Sequence, residues 1–172
     1  MNDYLLNFEE IEGLTVLELI EKLNLIDGLP LKTLTLKDLI FFNGKALRGG
    51  RGVYLFKDEA NSFFYVGMAS KRSFIERIPA HFDTKPEAWM NTLVKYHTDK
   101  NHNINNRTYD NLENSAMLTL DTYSLIMINF LYYNPVKIAN FGRLLRAVLG
   151  TYNQIKNQNF DKSKKISDLL LN

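Results

Sequence analysis

The sequence predicts a mixed α/β protein of the α+β kind, and three observations lead there. Two short runs, GVYLF at 52–56 and FFYVG at 63–67, are dense in β-branched and aromatic residues. The polar KDEANS between them completes the pattern of a β-hairpin. A longer β-like run, YSLIMINFLYY, occupies 123–133. Apolar residues recur at helical spacing in TVLELIEKLNL (15–25) and PVKIANFGRLLRAVLG (135–150). A chain of 172 residues suffices for one domain with a sizeable core.

The elements follow in chain order. Val16, Leu19, Ile20 and Leu23 share one side of the first helix. Thr15 and Glu18 stand at capping-box spacing before it, and Gly28 and Pro30 end it. A shorter helix is expected over Leu36–Phe41, with Thr35 as N-cap. GKALRGGRG (44–52) holds four glycines and reads as a flexible connection, or as backbone that must approach something closely. In the hairpin, a loop of Asp58–Asn61 pairs Lys57 with Ser62 and sets Tyr54 directly opposite Tyr65. The two phenols then share a face, whereas a one-residue slip would part them.

A helix is expected to begin near Ser73, which with Glu76 again matches a capping box. Arg77 and His81, four apart, would share its face. Pro79 demands a kink there or a later start. Residues 86–97 read as another helix, 100–111 as a polar Asn-rich loop, and SAMLTL (115–120) as a short strand. Pro135 suits the first turn of the last long helix, and Gly150 its C-terminal stop. That helix would turn Val136, Ala139, Leu144, Leu145, Val148 and Leu149 toward the core. The tail KSKKISDLLLN reads as a short terminal helix.

Composition narrows the function classes. The absence of Cys removes disulfides and thiol-ligated zinc. No apolar run approaches the roughly 18 residues that span a membrane. The acidic start MNDYLLNFEE lacks the basic-then-apolar order of a signal peptide. A cytoplasmic protein is expected. Net charge is +2 but unevenly spread. Residues 1–40 hold eight acids against three Lys. Residues 44–82 hold seven Lys and Arg against three acids, and residues 137–172 seven against two. Basic segments beside an acidic start suit an anionic partner such as nucleic acid, or are simply solvated faces.

The spacing within 52–82 is more specific. Gly52-Val53-Tyr54 is followed after ten residues by Tyr65-Val66-Gly67, then by Arg77, then by His81-Phe82; Tyr152-Asn153 follows the last long helix. In these motifs, over about residues 48–155, the chain resembles the GIY-YIG nuclease superfamily. The resemblance implies a small three-stranded antiparallel sheet flanked by helices, with strands near 52–56, 63–67 and 124–131. Residues 1–47 would be an N-terminal helical extension and 156–172 a tail or short helix.

The resemblance also implies an endonuclease hydrolysing DNA phosphodiester bonds with Mg²⁺ or another divalent metal. Tyr54 would activate the attacking water, and Tyr65 would support it or contact phosphate. Arg77 would neutralise the scissile phosphate, and His81 would assist proton transfer or position Tyr54. Gly67 would let the backbone turn tightly beneath the site, with Gly52 as the other structural glycine. Lys71, Arg72, Arg143, Arg146 and Asn153 would contact nucleic acid. The chemistry is coherent, because guanidinium donors stabilise phosphate oxygens and a Tyr base needs a pKa below its usual 10 or so.

One departure is plain. Counting back from Asn153 to the place of the family's metal-binding Glu lands on Phe141, and no Glu follows Glu113. The metal ligand is therefore unknown. The alternative is a catalytically degenerate module that binds nucleic acid or a protein partner without cleavage. Read without the family, Tyr54 and Tyr65 are ordinary cross-strand aromatics, and Arg77 is a surface partner of Glu76 or Asp83. Trp89 is then a core residue, His97 and His102 are solvent-exposed, and Asn153 is a tie for the chain after Gly150. The Asn-rich loop, with Lys100 and Arg107, is either a nucleic-acid contact or a mobile loop.

Overall fold

The structure is a computed structural model that describes residues 4–42, 45–47, 50–102, 106–153 and 159–170. The chain opens with β1 (Leu5–Asn7), α1 (Phe8–Ile11) and α2 (Val16–Asn24). The Thr15/Glu18 capping box at α2 is formed. β2 (Leu29–Pro30) is followed by two 3-10 turns, Leu31–Thr33 and Leu36–Leu39. The second starts at a Thr35/Asp38 capping box, so the short helix expected there is a single tight turn. β3 (Phe41–Phe42) and β4 (Lys45–Ala46) pair with each other. The remainder of the glycine-rich expectation, at 44, 48 and 49, lies outside the described residues.

The main hairpin is β5 (Gly52–Lys57) and β6 (Phe63–Ala69). α3 (Phe74–Arg77) stops before Pro79, and a 3-10 turn, Pro79–Phe82, carries the chain onward. The Ser73/Glu76 box caps α3, so the expected start is met and Pro79 ends the α geometry. α4 (Thr92–His102) lies later than expected, and α5 (Tyr109–Thr122) replaces the expected strand at 115–120. α5 buries Leu112, Ser115, Ala116 and Thr119, a helical spacing that a six-residue window does not display. β7 (Ser124–Asn129), α6 (Pro135–Val148) and α7 (Ile166–Leu170) complete the fold. α6 buries Ile138, Phe141, Leu144 and Leu145 and leaves Val136 exposed, so its core face is rotated from the expected one.

The sheet corrects the expectation of three strands. Its order is β1-β7-β5-β6, with β2 also on β7, making five strands. β5 lies antiparallel between β6 and β7. β1 runs parallel to β7, Leu5 to Met127, and β2 antiparallel beside it, Leu29 to Leu125. The N-terminal segment is thus helical only in part and supplies two strands. It also shares a core: Phe8, Ile11, Val16, Leu19 and Leu23 pack with Val53, Leu55, Ile126, Ile128, Phe141 and Ile166 on one face. On the other face Tyr54, Phe56, Leu125 and Met127 pack with Phe74, Ile78, Leu93 and Tyr123. Every residue of β5 is buried because both faces are covered, which is why its run reads as almost continuously apolar. Among the described residues no helix is long and apolar enough to cross a membrane.

The hairpin register differs from the expected one by two residues. Tyr54 pairs with Gly67, and Phe56 with Tyr65. Lys57 pairs with Phe63 rather than Ser62, so the loop is one residue longer, and Phe64 is the extra residue of a bulge. Each contributes one residue of shift. Two together restore parity, so Tyr54 and Tyr65 keep one face as diagonal rather than direct neighbours. Asn61 closes the loop at φ +60, a conformation that Asn tolerates.

Candidate functional site

Tyr54 lies on the central strand, opposite Gly67 on one side and Met127 on the other. A Cβ on Gly67 would sit 2.0 Å from Tyr54 Cζ, so the phenol lies across the glycine. Gly67 therefore clears room for a ring inside a strand and makes no tight turn, contrary to the sequence expectation. Gly52 serves backbone packing: a Cβ there would sit 1.9 Å from the Ile128 carbonyl oxygen. The 3-10 turn after α3 brings in His81, whose Nε2 is 2.7 Å from the Tyr54 hydroxyl. The Tyr65 ring centroid lies 6.4 Å from that of Tyr54 and 5.0 Å from that of His81. Three of the four expected catalytic side chains thus form one aromatic cluster.

Tyr54 and His81 are both 0% exposed. Burial, helped by the nearby positive charge of Arg77, pulls the His81 pKa down to about 3, so the ring is neutral at neutral pH. Burial first, and Tyr65 second, push the Tyr54 phenol above its ordinary range; Arg77 and Arg146 oppose this and are outweighed. A sealed phenol with a raised pKa is a poor base, since a general base works best near the operating pH.

Arg77 links this cluster to the surface. It is half-buried; Nη1 donates to Met90 Sδ at 2.7 Å, and Cζ lies 5.8 Å from the centre of the Trp89 ring. Among the described residues Arg77 Nε and His81 Nδ1 are buried without a hydrogen-bond partner, while the Arg77 guanidinium stands close enough to the Tyr54 hydroxyl to act on it through a hydrogen bond as well as its charge. Outside the cluster, Arg77 lines a cleft of about 320 Å³ with Met68, Ser70, Lys71, Arg72 and Trp89. Trp89, expected in the core, is 70% exposed because it sits in the turn before α4 rather than on a helix.

The donor set around the phenol does not suit Mg²⁺. The groups acting on Tyr54 are a second phenol, a histidine already bonded to it, and two guanidiniums. A hard dication prefers carboxylate and carbonyl oxygens and is repelled by guanidinium. Phe141, where the family's Glu would fall, is buried against Phe8 and Phe130 on the opposite face of the sheet.

The remaining candidates divide. Lys71 and Arg72 are exposed at the cleft. Asn153 clamps the edge strand: Oδ1 accepts from Val66 N at 3.1 Å, and Nδ2 donates to Val66 O at 2.8 Å. Arg146 Nε donates to the same carbonyl at 3.1 Å. Arg143, exposed on α6, bonds to Asn140 and does not line the cleft. His97, expected in solvent, is buried with Nε2 2.9 Å from Tyr123 Oη, and burial lowers its pKa. His102 is exposed. Arg107 is engaged bidentately by Asp99, and residues 103–105 of the Asn-rich segment lie outside the described residues. Met90 as a partner of Arg77 had no sequence signal. Trp89 offered only its residue type, and the helix expected over 86–97 placed it in the core. Compared with known proteins, the chain matches no family model, no curated protein and no solved structure, so any reading of function rests on the arrangement itself.

Proposed function

We propose that the chain binds nucleic acid through the cleft beside Arg77, the residue that joins this cleft to the buried cluster of Tyr54, Tyr65 and His81. One observation carries this reading: Lys71, Arg72 and Arg77 line one cleft with a largely exposed Trp89. Clustered cations attract phosphates and release their counterions, and an exposed indole offers a face to bases. Arg77 is held by Met90 and Trp89, so little ordering is needed on binding. The sealed Tyr54 hydroxyl favours binding over hydrolysis.

Phosphodiester cleavage, as in the GIY-YIG enzymes, is the second reading. The meeting of Tyr54, Tyr65 and His81, with the charge of Arg77 acting on two of them, favours it. The experiment is to titrate labelled DNA at several salt concentrations and to incubate supercoiled DNA with Mg²⁺, Mn²⁺ or EDTA. Arg77→Ala is expected to weaken binding and to reduce the salt slope by roughly one unit. Tyr54→Phe is expected to bind as the parent does, with no cleavage by either protein. Metal-dependent cleavage abolished by Tyr54→Phe would replace binding with hydrolysis as the function.

A further inference from the structure

We infer that the nucleic acid taken by this surface is single-stranded, with bases stacked on Trp89 and Tyr133. This inference rests on reading the cleft as a nucleic-acid site. Two exposed rings each carry an arginine. Arg77 Cζ lies 5.8 Å from the centre of the Trp89 ring, and Arg51 Cζ lies 4.5 Å from that of Tyr133. Trp89 is 70% and Tyr133 53% exposed. A guanidinium over one face of a ring pins its orientation while the rest of the ring meets solvent. Flat π-faces with cations at hand are what strand-tracking surfaces use to stack successive bases.

The two pairs belong to one continuous strip. Phe74 N donates to Gly50 O at 2.7 Å, and Phe130 N donates to Arg51 O at 2.9 Å, so the Gly50–Arg51 segment bridges the start of α3 and the end of β7. Arg51 and Arg72 both act on the Glu76 carboxylate. The strip therefore runs from Tyr133 through Arg51 and the Lys71/Arg72 edge to Arg77 and Trp89. Two acids border it: Glu76, bonded to Ser73 N and Oγ, and Glu9, which accepts from Leu131 N and Tyr132 N beside Tyr133. Four cations against two carboxylates suit a polyanion.

The rings decide the form of that polyanion. In a duplex the base faces are stacked on one another and closed to a side chain. Cations alone would read its backbone, and two exposed aromatic rings would meet only phosphate and sugar. Unpaired bases can splay onto the rings while their phosphates follow the cations.

The chain has one Trp, so its fluorescence reports Trp89 alone. Short oligothymidylate, oligouridylate and a blunt duplex of the same length are titrated at low salt, following Trp89 quenching and the anisotropy of the labelled strand. The expected result is quenching by at least one single strand, with that strand bound about tenfold or more tighter than the duplex. Whether the DNA or the RNA strand quenches identifies the sugar. Trp89→Ala and Tyr133→Ala, both at exposed positions, should each weaken single-strand binding by at least about fivefold, and by clearly more than they weaken duplex binding. Equal binding of duplex and strand overturns the inference and leaves the cleft reading standing. So does strand binding with neither quenching nor loss in Trp89→Ala. No binding of any nucleic acid overturns both.

Discussion

Gly67 and the Tyr54 ring occupy adjoining space so closely that a single methyl group decides between them. Gly67→Ala places a Cβ 2.0 Å from Cζ of the fully buried Tyr54, at a buried position of β6. The expected cost is at least about 2 kcal/mol, because a packed core absorbs an added methyl poorly. Introduced beside Tyr54→Ala, the same change should cost less than about 0.5 kcal/mol or stabilise, since Gly weakens strands and the ring is gone. Urea unfolding of the four proteins measures this coupling, and purely additive costs would refute it.

His81 supplies the second residue-scale prediction. Its folded pKa of about 3 lies below the ordinary 6.5, so the unfolded chain binds the extra proton in that interval. Stability is full above about pH 6.5 and falls as pH drops toward 3, by up to about 1.4 kcal/mol per pH unit. His97, lowered by burial and by Lys100, acts in the same direction. His81→Gln should be less stable near neutrality by roughly 1–3 kcal/mol, yet lose less stability on acidification. An unchanged acid slope in that variant would show that His81 does not titrate on unfolding. The resemblance carried by the motifs at 52–54, 65–67, 77 and 81 implies one neighbourhood for Tyr54, Tyr65, Arg77 and His81. It is silent on the sealing of Tyr54 and His81, because burial depends on residues far along the chain.

At the scale of elements, the edge of the sheet shows how side chains replace a missing strand. Among the described residues β6 has no neighbouring strand beyond it in the sheet order. Asn153 meets both the N–H and the C=O of Val66, as a partner strand would, and Tyr152 N donates to Phe64 O at 2.7 Å. Such an edge is otherwise open to pairing with another chain. Asn153→Ala leaves the Val66 N–H unmatched at a part-buried position and should cost about 1–3 kcal/mol. Amide exchange at Val66 should rise in step, and unaltered protection there would count against the clamp. The bulge at Phe64 turns that ring onto Tyr96, Tyr123 and Tyr152. Lys57, the next residue on β5 after Phe56, is buried and donates to Ile26 O at 2.7 Å beyond the end of α2. A lysine beneath a helix C-terminus meets its carbonyls and favours its dipole, while burial lowers its pKa. Strand composition alone indicates neither the bulge nor the buried lysine.

The whole molecule depends on its first thirty or so residues as much as on the hairpin. β1 and β2 pair with β7, and Leu6, Phe8, Ile11, Val16, Leu19 and Leu23 enter the same core as Val53 and Leu55. Losing one such side chain costs roughly 2–5 kcal/mol, against a total stability of about 5–15 kcal/mol. A chain cut to residues 48–155 is therefore expected not to fold, and a cooperative thermal transition in that fragment would disprove this. Much of the architecture is legible in the chain by itself. The mixed class, the hairpin strands, the third strand, the capping boxes at Thr15 and Ser73 and the N-cap at Thr35 are local patterns, and local patterns survive in a bare sequence. The tertiary structure alone decides the two-residue register, the two added strands, the helix at 109–122, the burial of His97 and the exposure of Trp89. Each of these depends on contacts between residues far apart in the chain, and periodicity within a short window carries no record of them.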